Sequence, residues 1–435
     1  MTTPIDAMRF DALAAFRAAV AAVQPSRLIP AAVTVDGSRI SIRSEALPEV
    51  GGRKVVAALG KAGPALADAW LDLLPGWADE LLVLAPHGVP VSDRVAQTGE
   101  VLRGAHPSPD EQGEASCRRL LGLAESLGED DLLVVLLSGG ASALLAAPRP
   151  GLSLEDIRTT TTLLLKAGAT IHRLNAVRRQ LLAAGGGGLG RAAAPARVVT
   201  LVLSDVLGDP LPDIASGPTV PSPTTAADAC RVLAGLGLLD TVPAAVVDFL
   251  RHTADLPAAA GWVERSRVHV LANNRTAVDA AAADLAGRGY QTTVEAASLE
   301  GEARAQGERL ARLAEAAGSP RPAALVAGGE TTVTVRGSGR GGRNHELALA
   351  AALELSGRPP VVILAAGTDG IDGSTDAAGA VVDPSTVARA RAAGVDLAAA
   401  LADNDSGPAL AAAGDAIRTG PTGTNVCDLV LVLTA

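Results

Sequence analysis

Short apolar runs punctuate the 435 residues, and helix-patterned segments fill most of the gaps between them. The runs are 54–60 (KVVAALG), 80–86 (ELLVLAP), 132–140 (LLVVLLSGG), 197–205 (RVVTLVLSD), 267–274 (RVHVLANN), 323–330 (AALVAGGE), 361–370 (VVILAAGTDG) and 428–435 (DLVLVLTA). Most are continuous rather than alternating, the pattern required where both faces of a parallel sheet lie under helices. A further run, 331–336 (TTVTVR), alternates, which predicts an antiparallel or edge strand. Between the runs, Ser153 with Asp156 predicts a capping box opening a helix, and the helical stretches starting at Ile171 and Asn344 each run towards a glycine stop. Strand–helix alternation of this kind specifies the α/β class.

The length suits two or three domains of roughly 100–200 residues each. Composition loosens at 215–228 and again at 253–267, and a second strand–helix series starts at Val268. This predicts an N-terminal α/β, Rossmann-like domain over 1–260 and a C-terminal α/β domain over 261–435, each a mostly parallel sheet flanked by helices. The glycine-rich run 183–196 reads as a mobile loop or a low-complexity connector. Aromatic residues make up only 2% against 48% hydrophobic, so the cores must be built from Ala, Val and Leu.

A net charge of −10 argues against a nucleic-acid surface and against adsorption to anionic lipid, which leaves a small molecule as the expected partner. Cys117, Cys230 and Cys427 form no disulfide framework, which fits a reduced, cytoplasmic setting. The amphipathic N-terminus carries Asp6 and Asp11 and lacks the basic and apolar regions of a signal peptide. No run reaches the ~20 apolar residues of a membrane span. A homodimer is left open.

In open α/β sheets ligands gather beyond the carboxyl ends of the strands. The first run leads into Gly60-Lys61-Ala62-Gly63, which puts one of only three lysines at a helix start. A cation is disfavoured there unless an anion binds, so phosphate or carboxylate is indicated; a surface lysine is the plain alternative. The third run ends in Ser138, Gly139 and Gly140, with Ser142 following. Two glycines let backbone N–H groups face an anion, though a tight turn has the same composition. Asp205 ends the fourth run, where a carboxylate must be paired, bound to a metal or used as a cap. Asp369, Asp372 and Asp376 cluster after the seventh run and suggest either a hard cation or a turn. The segments His106–Pro109, Asn273–Arg275 and 419–428 are weaker polar clusters.

Residues 337–342, GSGRGG, fit the dinucleotide fingerprint G-x-G-x-x-G. Arg336, Arg340 and Arg343 decorate that loop, however, and guanidinium forks suit the charge that develops on a transferred phosphoryl group. His345 reads as an ordinary helix-face residue. The lysine, the strand-end aspartate and the arginine loop together point to phosphoryl transfer, with the active site expected in an interdomain cleft.

The segments GKAG, SGGASALL, IHRLNAVRRQL, SDVLGDPLPDIASGPT, GGETTVTVRGSGRGGRNHELAL, GTDGIDGSTDAAGA and PTGTNVCDL occur in one order. In that order the chain resembles the class II glycerate kinases, the glycerate 2-kinase family with a C-terminal MOFRL domain, from about residue 10 to the end. The resemblance implies ATP-dependent, Mg²⁺-assisted phosphorylation of D-glycerate, or a closely related short sugar acid, at the 2-hydroxyl. It casts Lys61, Asp205 and Arg343 as catalytic groups. Nucleotide contacts are expected from Ser138, Gly139, Gly140, Ser142, Asn273, Gly329, Glu330, Gly339 and Arg340, and the metal from Asp205 and Asp369. The chain departs from the family pattern where Ala184-Gly185-Gly186-Gly187 replaces IKGG, at His345 in GRNHE and at Cys427 in TNVCD. Some members of the family carry the name hydroxypyruvate reductase, an activity that would need a nicotinamide site.

Overall fold

A computed structural model describes residues 3–253, 261–316 and 322–435. They belong to two compact units, Pro25–Leu271 and Met1–Gln24 with Ala272–Ala435. The domain boundary expected near residue 260 falls on 254–260, outside the described residues.

The larger unit is organised by a sheet with strand order Glu100–Gly104, Glu80–Pro86, Lys54–Leu59, Leu132–Ser138, Arg197–Leu203 and Ser266–Ala272. The first five pair in parallel, as their continuous apolar runs require. Val55, Ala57 and Leu59 share one core with Leu133, Val135 and Leu137, against which the helix Glu111–Glu125 lays Cys117, Leu120 and Leu123. Val56, Ala58, Val134 and Leu136, which alternate with them, are also fully buried. Each Val or Leu among them contributes about 1.5–3 kcal/mol on burial. A second apolar cluster is built mainly by helices and joins Leu154–Lys166, Ile171–Leu181, Ala226–Gly235 and Ala244–His252. The expected capping box is present: Ser153 Oγ accepts from the Asp156 N–H while Asp156 accepts from the Ser153 backbone.

The glycine run is not a loose connector. Residues 184–190 are all buried, and the N–H groups of Gly186, Gly187 and Gly190 donate to the carbonyls of Ser216, Gly217 and Pro218. The ring of Trp262 lies where a Cβ on Gly187 or Gly190 would be, 2.6 Å and 2.5 Å from those positions. The glycines are there for close packing, which composition alone cannot distinguish from flexibility.

The second unit has strand order Gln291–Val294, Ala323–Gly329, Asp428–Thr434, Val361–Gly367, Gly379–Val382 and Ala416–Ile417. The α/β class holds here too, but the sheet is not mostly parallel. Only Gln291–Val294 with Ala323–Gly329 is a parallel pair; the other pairs are antiparallel. Two of those pairs come from the last strand, which inserts between Ala323–Gly329 and Val361–Gly367 and runs against both. A continuous apolar run reads the same in either direction, so the pattern could not reveal this.

Residues 331–336 form no strand beyond one isolated bridge, Glu302 to Thr332. Their N–H groups find other acceptors: Thr334 donates to Glu302 Oε1 and Arg336 to Asn404 Oδ1. At the other end of the unit, the helix Pro4–Ala22 sends Arg9 to Asp383 and Asp415, two fully buried carboxylates, at 2.6 and 2.8 Å. Among the described residues no helix is long and apolar enough to cross a membrane.

Candidate functional site

Three neighbouring strands of the larger unit end side by side, and their turns interlock. Ser138 Oγ accepts from the Ala62 N–H at 2.9 Å and donates to the Leu59 carbonyl, tying the first turn to the second. The N–H of Lys61 donates to the Gly139 carbonyl at 2.9 Å. Gly60 has φ +105°, and a Cβ there would lie 2.5–2.7 Å from Ser138 and Gly139 oxygens, so only glycine fits. Ser138 is thus a buried structural link, and its hydroxyl is committed.

The next two glycines each face a charged or titratable group. A Cβ on Gly139 would overlap the carboxylate of Asp205, so that carboxylate lies directly on the backbone of the turn. Gly140, at φ +82°, has Lys61 Cγ 3.0 Å and His106 Nε2 3.3 Å from its Cβ position. Lys61, His106 and Asp205 are thereby gathered around two adjacent glycines at the carboxyl edge of a parallel sheet, where ligands of such sheets bind. Lys61 and Asp205 were expected from the sequence, but His106 stood out only within a weak polar cluster. Ser142 Oγ lies 3.2 Å from Ser216 Oγ, and Arg178 donates to the Ser142 carbonyl.

Behind this edge the helix Ile171–Leu181 directs His172, Asn175 and Arg179 onto Asp213, at 2.8, 3.2 and 2.7 Å. Burial lowers the pKa of Arg178 and Arg179, and for Arg179 the Asp213 carboxylate opposes the shift. Sequence reading did not find this cluster: its partners are 34 to 41 residues apart and no spacing rule connects them.

In the second unit, Arg343 opens the helix Arg343–Leu355 and forms a two-pronged pair with Asp428, Nε to Oδ2 at 2.5 Å and Nη2 to Oδ1 at 3.0 Å. Its Nη1 lies 2.8 Å from Glu330 Oε1. Burial pushes the Asp428 carboxyl up to about 6 while the guanidinium pulls it down; the same pairing holds Arg343 above its ordinary value. At neutral pH both are ionised. Asp369 joins this edge, since its Oδ1 and that of Asp428 lie 3.2 and 3.4 Å from the Cβ position of Gly367. Gly329 pairs with Asp428 across the sheet, and a Cβ on it would strike the Leu299 backbone. Asn273 caps the helix Asn274–Gly287 by accepting from the Thr276 N–H.

The GSGRGG loop uses its own protein as the acceptor. The N–H groups of Arg336 and Gly337 donate to Asn404 Oδ1, Ser338 to Asp403 Oδ1, Gly339 to the Asp403 carbonyl and Arg340 to Asp405 Oδ1. The three aspartates after the seventh strand also diverge: Asp372 turns to the start of the helix at Arg343, and Asp376 pairs with Arg418. Among the described residues no group of three or more His, Cys, Asp or Glu side chains is placed to hold a metal ion. An ion here would need most of its ligands from a substrate and from water, as Mg²⁺ commonly does.

Comparison with known proteins places this geometry. Residues 11–251 match the family model described as "Domain of unknown function (DUF4147)", and residues 323–428 match the MOFRL family. The chain is 40% identical over 395 residues to the D-glycerate 2-kinase of Thermotoga maritima, covering 89% of this chain and 93% of that one. A relative from Agrobacterium vitis named for hydroxypyruvate reduction is also 40% identical, over 94% of this chain and 93% of its own. The crystal structure of a glycerate kinase from Thermotoga maritima superposes with a TM-score of 0.83 at 36% identity, covering 99% of this chain and 100% of that one. The chain belongs to the glycerate 2-kinase family that carries a C-terminal MOFRL domain.

Proposed function

We propose that the protein transfers the γ-phosphoryl group of ATP to the 2-hydroxyl of D-glycerate, giving 2-phosphoglycerate. The observation that carries this reading is the convergence of Lys61 and the Asp205 carboxylate on the Gly139-Gly140 turn. An ammonium, a carboxylate and a glycine turn at one strand edge are the parts that phosphoryl transfer needs, because its catalysis is mainly positioning and charge neutralisation. The names of the relatives support the same reading.

In this mechanism Lys61 neutralises charge on the phosphoryl oxygens. Asp205 orients the acceptor hydroxyl, and a carboxylate that close to a backbone turn has little freedom to leave its place. Gly139, Gly140 and Ser142 line the phosphate path, and Ser138 fixes the turn beneath it. Arg343 stays anchored by Asp428 and offers its remaining N–H groups to an anion when Glu330, which is exposed, moves aside. Asn273, Gly329, Glu330, Gly339 and Arg340 complete the assignment of nucleotide contacts; for Gly339 the contact runs through shape, since its N–H is occupied. Mg²⁺ bound with the nucleotide would supply charge neutralisation between phosphates, with Asp205 and Asp369 as the protein's candidate ligands. The substrate is a free small molecule in the cytoplasm, with neither nucleic acid nor membrane as partner; a homodimer remains compatible with this reading.

The test is ATP consumption by the purified protein with D-glycerate and Mg²⁺, with the product's phosphate position read by ³¹P NMR. Formation of 2-phosphoglycerate is expected. Oxidation of reduced nicotinamide by hydroxypyruvate with no ATP turnover would overturn the reading in favour of the reductase named for the Agrobacterium vitis relative.

A further inference from the structure

His345 sits in the first turn of the helix Arg343–Leu355 with its side chain only 1% exposed. Its Nδ1 lies 2.6 Å from Oδ2 of Asp372, itself 2% exposed. That carboxylate also accepts from the His345 N–H at 2.8 Å, the Asn344 N–H at 3.2 Å and Asn344 Nδ2 at 3.3 Å. The ring's Nδ1–H donates to that carboxylate. The other ring nitrogen, Nε2, is buried with no protein partner. An orphaned buried polar atom is destabilising, so its retention calls for an explanation beyond helix capping.

That explanation is the cavity which His345 lines, about 180 Å³ in volume and contained within the second unit. Pro408 and Ala411 give it apolar walls, and Arg340, Asp376 and Arg418 contribute its charge. Arg418 pairs with Asp376 at 3.3 Å, and Arg340 spends one nitrogen on the Ser374 carbonyl. Two guanidinium groups against one carboxylate leave one positive charge to be matched. We infer that this cavity binds a small hydroxylated monoanion, with its charge toward Arg340 and Arg418 and its hydroxyl hydrogen-bonded to His345 Nε2. Dihydrogen phosphate and the carboxylate form of a short hydroxy acid share that chemistry. The site shares Arg340 with the nucleotide contacts proposed above; His345, Asp376 and Arg418 have no part in the kinase reading.

The experiment is a titration of histidine-labelled full-length protein, without nucleotide, followed by ¹⁵N–¹H NMR. The His345 ring signal is identified by its loss in His345→Gln. D-glycerate, inorganic phosphate and propionate are added separately. A saturable shift of that signal with D-glycerate or phosphate is expected, at least about tenfold weaker with propionate, which lacks the hydroxyl. A response to phosphate alone or to D-glycerate alone tells which of the two is the ligand. Arg418→Ala is expected to weaken the response about fivefold or more by removing one of the two cations. Lys61→Ala, chosen to remove turnover and lying in the other unit, is expected to leave it intact, so failure of the kinase reading and failure of this site are told apart. The inference is overturned if no compound shifts the signal saturably, if propionate equals D-glycerate, or if Arg418→Ala binds as the wild type does.

Discussion

Gly139→Ala is the substitution that most directly tests the packing at the carboxyl edge of the larger unit's sheet. Gly139 does not have a positive φ, so alanine meets no backbone objection there. The objection is Asp205: a Cβ would overlap its carboxylate, and even the farther oxygen would be 2.8 Å away, against 3.4 Å for an ordinary contact. The carboxylate has to move by roughly an ångström or more, and a displacement of that size costs about 10²-fold when the group positions a reacting atom. That corresponds to about 2.7 kcal/mol on the barrier. The overpacking itself costs about 1–3 kcal/mol of stability. Activity is read by ATP consumption with D-glycerate and stability by urea unfolding. The decisive arm is Asp205→Ala, which removes the obstacle, so Gly139→Ala added to it should cost far less stability than it does alone. A coupling of more than about 0.5 kcal/mol is expected for groups in contact. Strictly additive stability changes, or a Gly139→Ala enzyme with normal turnover, would refute the contact and its role.

Other perturbations act on single groups. Arg343→Ala leaves Asp428 buried without its cation, which costs about 3–5 kcal/mol. Because burial already raises that carboxyl to about 6, the folded state binds its proton more tightly than the unfolded chain does, so the variant's deficit against wild type should shrink as pH falls from 7 to 5; a deficit independent of pH would contradict this. Cys117 is fully buried, which pushes its thiol up to about 12, so iodoacetamide at pH 8 should leave it unmodified until the protein unfolds. For Asp383, burial works against ionisation, but hydrogen bonds from Arg389 and Ser385 outweigh it and hold the carboxyl at about 2. Its contribution is present above the ordinary carboxylate range and is lost as pH falls toward 2, so Asp383→Asn should show a shallower acid limb in urea midpoints; an unchanged limb would refute the assignment.

The strands were legible because burial on both faces leaves an unambiguous mark, a continuous run of Val, Leu and Ala. Strand direction was not legible. Asp428–Thr434 looks like any other buried strand, yet it runs antiparallel to both neighbours because the chain returns to the sheet centre at its end. The alternation in 331–336 also misled. Burial alternates only at its start, since Thr334, Val335 and Arg336 are all exposed, and the alternate N–H groups are taken by Gly301, Glu302 and Asn404 rather than by a neighbouring strand. Two-residue periodicity reports which way side chains point, and an extended segment pinned by side-chain acceptors has the same periodicity as a strand.

The candidate site shows where spacing stops being informative. Lys61 and Asp205 could be found because each follows a readable strand, and the place where such strands end is the place where ligands gather. The loop at 337–342 fits a fingerprint whose physical content is a set of N–H groups free to face a phosphate. Each N–H has one proton to donate. From Arg336 to Arg340 those protons go to Asp403, Asn404 and Asp405, which stand 64 to 68 residues further along the chain. A short pattern contains the donors and cannot contain acceptors that distant, so the same six residues make a phosphate cradle in one chain and a braced turn in another. What this loop brings to the proposed site is the charge on the Arg340 and Arg343 side chains, because the N–H groups from Arg336 to Arg340 are already committed.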